Sequence, residues 1–242
     1  RFVGSVEYIN SISRWCLWLV DVPPEELKKM KHVLERVKNI KILREKSSDA
    51  QARQLANYPT TFRDTKNPER ALVVPLVSSE FRKYIPLGFI NKDIIPSNLC
   101  SFIPEANLYH FGILTSIMHM AWVKYTCGRL GSSFRYSNKI VYNNYPFPES
   151  ATKVQEINIE KAAQKVLDTR ALFPNSSLAE LYDPLSMPPE LVKAHNELDK
   201  AVDLAYRSQP FVSEANRMEF LFELYEKFTA DLFTKEKSKK KR

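Results

Sequence analysis

The feature that constrains this chain most is residues 126–149, TCGRLGSSFRYSNKIVYNNYPFPE, which follow directly on its most apolar helical run. Arg129, Arg135 and Lys139 supply positive charge there. Phe134, Tyr136, Tyr142, Tyr145 and Phe147 supply flat rings, and Ser132, Ser133, Ser137, Asn138, Asn143 and Asn144 supply short hydrogen-bonding side chains. Gly128 and Gly131 interrupt the helical pattern, so the stretch begins as a loop leaving a helix end. Lys139-Ile140-Val141-Tyr142 alternates like a short strand and is closed by Pro146 and Pro148. Arg and Asn can each make two hydrogen bonds to the major-groove edges of guanine and adenine. Ser and Lys serve phosphates or either base. The chemistry fits two readings: a sheet edge with aromatic cross-strand pairs and solvated charges, or a surface that meets nucleic acid.

The apolar run behind it covers residues 107–127. Leu108, Phe111, Leu114, Met118, Ala121, Trp122 and Tyr125 fall at helical spacing, and Gly112 with Thr115-Ser116 predicts a division into two helices, the second capped by a hydroxyl. This element is placed to hold the following loop rigidly from behind. His110 and His119 stand nine residues apart, about 13 Å along a helix axis. No cysteine or carboxylate completes a ligand set, so they read as core or surface histidines, not a metal site.

Composition bounds the rest. The chain has 242 residues, enough for a sizeable core, and its 44% hydrophobic and 12% aromatic content is globular. Of the formal net charge of +8, the last eight residues, KEKSKKKR, supply +5. A basic balance favours nucleic acid or an anionic surface; here most of it belongs to a tail, 235–242, of disordered and solvated composition. Cys16, Cys100 and Cys127 are odd in number and far apart, which points to a reducing cytoplasm and no disulfide framework. No stretch reaches the ~18 consecutive apolar residues of a membrane span. The N-terminal residues have neither an initiator Met nor a signal layout, so the chain reads as a fragment whose partner domains lie upstream.

In order along the chain, residues 14–20 (RWCLWLV) form a continuous apolar run and predict a buried strand. Asp21-Val22-Pro23-Pro24 opens a helix with Glu25 and Glu26 at its positive end. Leu27, Met30, Leu34 and Val37 form its apolar face, opposite Lys28, Lys31, Arg36 and Lys38, and Ser48 or Asp49 can cap a shorter helix ending near Asn57. Residues 59–70 are the best internal linker. Residues 71–77 and 84–90 read as strands demoted to edges by their prolines, joined by a polar connection, and 98–103 as a further strand. Beyond Pro148 the pattern is helical: one helix to Pro174, a short turn at 177–183, another from Pro188-Pro189 to Arg207, and a last one capped by Ser213 and ending at Phe233. Lys193, His195, Lys200 and Arg207 are expected to face outward. The fold class is α+β: a small mixed-sheet domain at 1–149, with a helical sub-segment at about 23–57, then an all-helical bundle at 150–234.

Residues 97–148, SNLCSFIPEANLYHFGILTSIMHMAWVKYTCGRLGSSFRYSNKIVYNNYPFP, resemble the target-recognition region of MmeI-like restriction-modification enzymes, single chains that methylate adenine in DNA and in many members also cut it. VSSEFRKYIPLGFI (77–90) resembles the start of that region, and LYDPLSMPPELVKAHNELDKAVDLAY (181–206) its helical tail. The resemblance implies a module that binds double-stranded DNA through Ser78, Ser79, Glu80, Arg82 and Asn98, and through Arg129, Gly131, Ser133, Arg135, Tyr136, Ser137, Lys139, Asn143 and Asn144. In the resembling family, members with different targets differ at the positions matching Gly131 and Ser133, often as a charged pair, and an Arg matches Arg135. The glycine and serine here depart from that pattern.

The catalytic parts are not legible in this stretch. Five glycines form no phosphate- or adenosylmethionine-cradling loop. Asp21-Val22-Pro23-Pro24 has an extra residue before its prolines and Glu25 after them, so it is no Asn-Pro-Pro-Tyr loop for an extruded adenine. The expectation is a sequence-reading module without catalytic or metal residues. S-adenosylmethionine, and Mg2+ for any nuclease domain, would belong to an upstream methyltransferase part of the same polypeptide. A specificity domain of a non-cutting phage-defence methyltransferase, or a structural interaction domain without DNA affinity, remain alternatives.

Overall fold

The computed structural model describes residues 1–239, with side chains through residue 230, so the side chains of the expected tail at 235–242 lie outside the described residues. Packing divides the chain into two units: Trp15–Asn67, and Arg1–Arg14 together with everything from Pro68 onward. The division falls at the end of the polar segment 59–70. At the N-terminus, β1 (Phe2–Val3) leads into the short helix α1 (Ser5–Ile9).

In the inserted unit, Pro24 sits in the first turn of α2 (Pro24–Lys29), where its missing N–H removes no helical bond, and Met30 joins it to α3 (Lys31–Glu45). Asp49 accepts from the amides of Gln51 and Ala52 and starts α4 (Ala50–Gln54), which tightens into a 3-10 turn at Leu55–Asn57. The Arg44 guanidinium donates to the carbonyls of Leu55, Tyr58 and Thr61, tying the end of α3 to the chain that returns beside it. The expected buried strand at 14–20 is not formed. That run has no regular structure, and Trp15 is 72% exposed. No strand of this unit is available to satisfy its backbone. Its side chains instead line a groove of about 410 Å³ with Val37, Ile40 and Phe62. Ala56 is the one buried residue of this unit among the described residues.

The larger unit holds the core. Strand β2 (Arg70–Pro75) is flanked by β4 (Gly88–Asn91) and β6 (Cys100–Pro104), both antiparallel to it. It is central, not an edge: Pro75 is its last residue, so the missing amide interrupts no interior pairing. The chain from Tyr84 to Leu87 is buried but irregular, and pairing begins at Gly88. Short β5 (Ile95–Pro96) runs parallel to β1. A second sheet forms from β3 (Val77–Ser78), β7 (Gly128–Leu130) and β8 (Ser133–Arg135), in the order β3-β8-β7. Between the two sheets in sequence lie α5 (Leu108–Leu114) and α6 (Ile117–Thr126), divided at Thr115-Ser116 with the Ser116 hydroxyl capping α6. Residues 139–142, expected as a strand, belong to a π-helical turn, Asn138–Tyr142, in which the Asn143 amide donates to the Asn138 carbonyl.

The helical region consists of α7 (Lys153–Ala171), α8 (Leu178–Leu181), α9 (Pro189–Tyr206) and α10 (Glu214–Lys239). Capping boxes Thr152/Gln155 and Ser177/Glu180 start the first two, and the Ser213 hydroxyl accepts from the Asn216 amide at the start of the last. One apolar cluster runs across both regions, from Leu72 and Phe134 through Trp122 to Ile159, Leu198 and Leu221. Gly112 marks a close approach between them: a Cβ there would stand 2.7 Å from Ile159 Cγ2 and 3.3 Å from Leu198 Cδ1, so its bare backbone lets α5 settle on α7 and α9. The α+β class holds, with small sheets and a helical C-terminal region. Among the described residues no helix is long and apolar enough to cross a membrane, and no disulfide joins the three cysteines.

Candidate nucleic-acid interface

Strands β7 and β8 pair Leu130 with Ser133, leaving Gly131-Ser132 as a two-residue turn. Gly131 has φ +60°, a conformation that glycine adopts without a Cβ penalty and that the first position of such a hairpin turn requires. Gly131 and Ser133 thus stand at a hairpin tip, and an added Cβ at Gly131 would meet nothing within 4 Å. Arg129 crosses the hairpin: its guanidinium lies 4.2 Å from the centre of the Phe134 ring, and its Nη1 donates to the Ser132 carbonyl. The next cation, Arg135, is exposed, as is Lys139 on the π-helical turn. Neither side chain has a hydrogen-bond or ion-pair partner among the described residues. Asn143 is exposed at the end of that turn.

The connection after β3 lies beside this tip, because Val77 and Ser78 pair with Arg135 and Phe134. The Ser132 hydroxyl hydrogen-bonds the Glu80 carboxyl. With the help of a backbone amide and the nearby Arg129, it holds that carboxyl below its ordinary value, in the charged acceptor form. Asn98 is exposed on the turn before β6. Leu76 links that turn to the hairpin, since its amide donates to Leu99 and its carbonyl accepts from Tyr136.

Several expected contacts have other roles. Tyr136 is buried, and its hydroxyl meets His119 Nε2 at 3.0 Å. Ser78 is buried too, and Arg82 turns inward toward its hydroxyl and toward Asp183, so burial lowers the guanidinium's pKa. Ser137 caps the π-helical turn through the Ile140 amide, and Asn144 donates to the carbonyls of Lys139 and Ile140. Ser79 accepts from the Phe81 amide and shapes the loop. The outward set is therefore Glu80, Asn98, Arg129, Ser133, Arg135, Lys139 and Asn143, with Gly131 at the tip.

Helices hold this set from behind. Trp122 Nε1 donates to the Val141 carbonyl at 3.0 Å, fixing the π-helical turn to α6. His119 packs edge-on to Tyr145, and burial pushes its pKa down to about 3, which leaves a neutral ring with no role as a cation. The loop that carries Glu80 is anchored at Tyr84, whose hydroxyl donates to Asp199 Oδ2 at 2.6 Å and whose ring stacks on His195 at 4.0 Å. Asp199 Oδ1 accepts from the Ile117 amide, His195 Nε2 meets the Tyr182 hydroxyl at 2.7 Å, and Arg170 binds that hydroxyl and the Leu87 carbonyl. His195 is fully buried, contrary to the expectation that it faces solvent: its ring partners are Tyr182, just after α8, and Tyr84, in the loop after β3. Sequence reasoning also missed Asp199 and Arg170. The one local signal was a carboxylate at an inward helical position, four residues after His195. Among the described residues no cluster of three metal-ligating side chains exists.

The fold is that of a target-recognition domain followed by a helical C-terminal domain. Residues 1–149 match the MmeI target recognition domain, and residues 151–233 match the MmeI C-terminal domain. The chain belongs to the MmeI family. It is 45% identical over 230 residues to DNA methyltransferase A of Bacillus subtilis (strain 168), which is 95% of this chain and 26% of that protein. The solved structure of the Type IIL restriction-modification enzyme MmeI in complex with DNA matches with a TM-score of 0.92 and 44% identity, over 95% of this chain and 31% of that one. The chain thus spans less than a third of either relative.

Proposed function

We propose that this chain is the sequence-reading module of a DNA methyltransferase of the restriction-modification type, binding double-stranded DNA and presenting an adenine to a catalytic part of the same polypeptide. The observation that carries this is the hairpin at Gly131. Arg135 and Ser133 on the braced hairpin and Lys139 on the adjoining π-helical turn offer unpaired side chains next to Glu80, whose carboxyl is held below its ordinary pKa, so donors and an acceptor stand close together as base-edge readout requires. The relatives support it, since one is named a DNA methyltransferase and the other was solved with DNA bound. S-adenosylmethionine, and Mg2+ where DNA is cut, are expected to be held by that other part, in the cytoplasm. The test is fluorescence anisotropy with labelled duplexes across a salt series. Binding should weaken linearly on log–log axes, by close to one unit of slope per phosphate contact. Absence of any duplex binding at low salt would overturn the reading.

A further inference from the structure

The outward set of this interface contains hydrogen-bonding and charged groups, yet a large apolar side chain stands exposed beside it. Phe81 is 74% exposed, one residue from Glu80 and two from Lys83, and Leu130 at the neighbouring hairpin is 55% exposed. The ring is not on a loose loop. The Phe81 amide donates to Ser79 Oγ and the Arg82 amide to the Ser79 carbonyl, closing a tight turn under the ring. Glu80 is bonded to Ser132 on one side, and Tyr84 is anchored to Asp199 on the other. A phenyl group with two torsions on a pinned turn loses little entropy when it is covered.

We infer that Phe81 is a specificity-determining residue that packs on the C5-methyl group of a thymine in the major groove. The inference rests on the DNA-reading function proposed above. The hydrogen-bonding neighbours suit the edges of the other bases: Arg135 offers a fork of donors to guanine, and Glu80 an acceptor to the cytosine amino group. Thymine is the base that presents a methyl group in that groove, and an apolar side chain is what recognises it. The turn joins Phe81 to the same tip that carries those readers, so one base pair near theirs falls within its reach. Lys83 beside it donates to Asn196 at 3.4 Å and keeps a charge at the loop base.

The experiment selects bound duplexes from a randomised library with the full chain and with Phe81→Ser, an exposed change checked for folding by circular dichroism. The wild type should show a thymine-preferring position that Phe81→Ser flattens while the other positions and the salt slope stay unchanged. Replacing that thymine by uracil should weaken the wild type about fourfold, the worth of one buried methyl group at ~0.8 kcal/mol. It should leave Phe81→Ser unaffected, and Phe81→Leu should restore part of the preference. If neither protein binds any duplex, the DNA-reading function itself fails. If the wild type selects a motif that Phe81→Ser also selects, or if uracil costs nothing, this inference alone is overturned.

Discussion

Replacing Asp199 by Asn should remove a specific slope from the pH dependence of stability. The carboxyl is 7% exposed and sits between the Tyr84 hydroxyl and the Ile117 amide. Burial, aided by Asp203, pushes its pKa from 3.8 up to about 6, against the pull of Tyr84, Ile117 and Lys83. Because the folded protein holds this proton more tightly than the unfolded chain, the group favours folding at low pH and loses that advantage as pH rises through 6. With those two pKa values, linkage gives a loss of about 2 kcal/mol between pH 4.5 and 7.5. Asparagine is neutral at every pH and keeps an acceptor for the Ile117 amide. The assay is urea unfolding followed by tryptophan fluorescence at both pH values, for both proteins. Carboxylates such as Glu80 and Glu180, whose lowered pKa values give slopes of the opposite sign, are common to both and cancel in the comparison. The Asn variant should be relatively more stable at pH 7.5 by about 2 kcal/mol, with the difference shrinking toward zero in acid. An identical pH dependence in the two proteins would refute the account of this buried pair.

Gly112→Ala should lower stability by about 1 kcal/mol, since overpacking against Ile159 and Leu198 costs ~1–3 kcal/mol and helix propensity returns ~1. A raised melting temperature would contradict that. Asp203→Ala strips the carboxylate from Arg217, a two-bonded pair whose side chains are only 16% and 12% exposed, and should cost about 3 kcal/mol in chemical denaturation. A loss under 1 kcal/mol would mean that water rescues the cation. Gly131→Lys with Ser133→Asp should change the preferred base at a single position in a randomised-duplex selection, with ~1 kcal/mol of backbone strain at the positive φ. Arg135→Ala should cost about 1–3 kcal/mol of binding, and weakening that is uniform over all sequences would make Arg135 a phosphate clamp.

Features set by a few adjacent residues were legible. Asp49, Ser116, Ser213 and Pro24 start helices where the sequence places them, because a cap needs only the amides two or three residues on. The exposure of Arg129, Arg135 and Lys139 on one continuous stretch was legible for the same reason: its residues are neighbours in the chain. The apolar run at 14–20 misled because it fixes hydrophobicity but not the partner that would make it a strand. The alternation at 139–142 was too short to separate a strand from a tightly capped turn, and Asn144, which holds that turn, lies outside it. Tyr136 and Arg82 looked like contacts because their inward partners, His119 and Asp183, are supplied by distant segments. The hairpin had a signal that went unread: Gly-Ser between Leu130 and Ser133 is a two-residue hairpin turn by its residue types.

The π-helical turn at Asn138–Tyr142 has a consequence for how such a surface can be altered. A π-turn holds one residue more than an α-turn, so its length is itself an adjustable setting. With Ser137 fixed by its cap and Val141 by Trp122, deleting one residue between them would let the segment wind as an α-helix. Side chains before the deletion would keep their direction, while those between it and the anchor at Val141 would be turned by up to roughly 100°, the angle between successive residues at 3.6 per turn. A change of chain length, with no change of residue type, would then re-aim Lys139 relative to Arg135 and leave Val141 and the braced interior as they were.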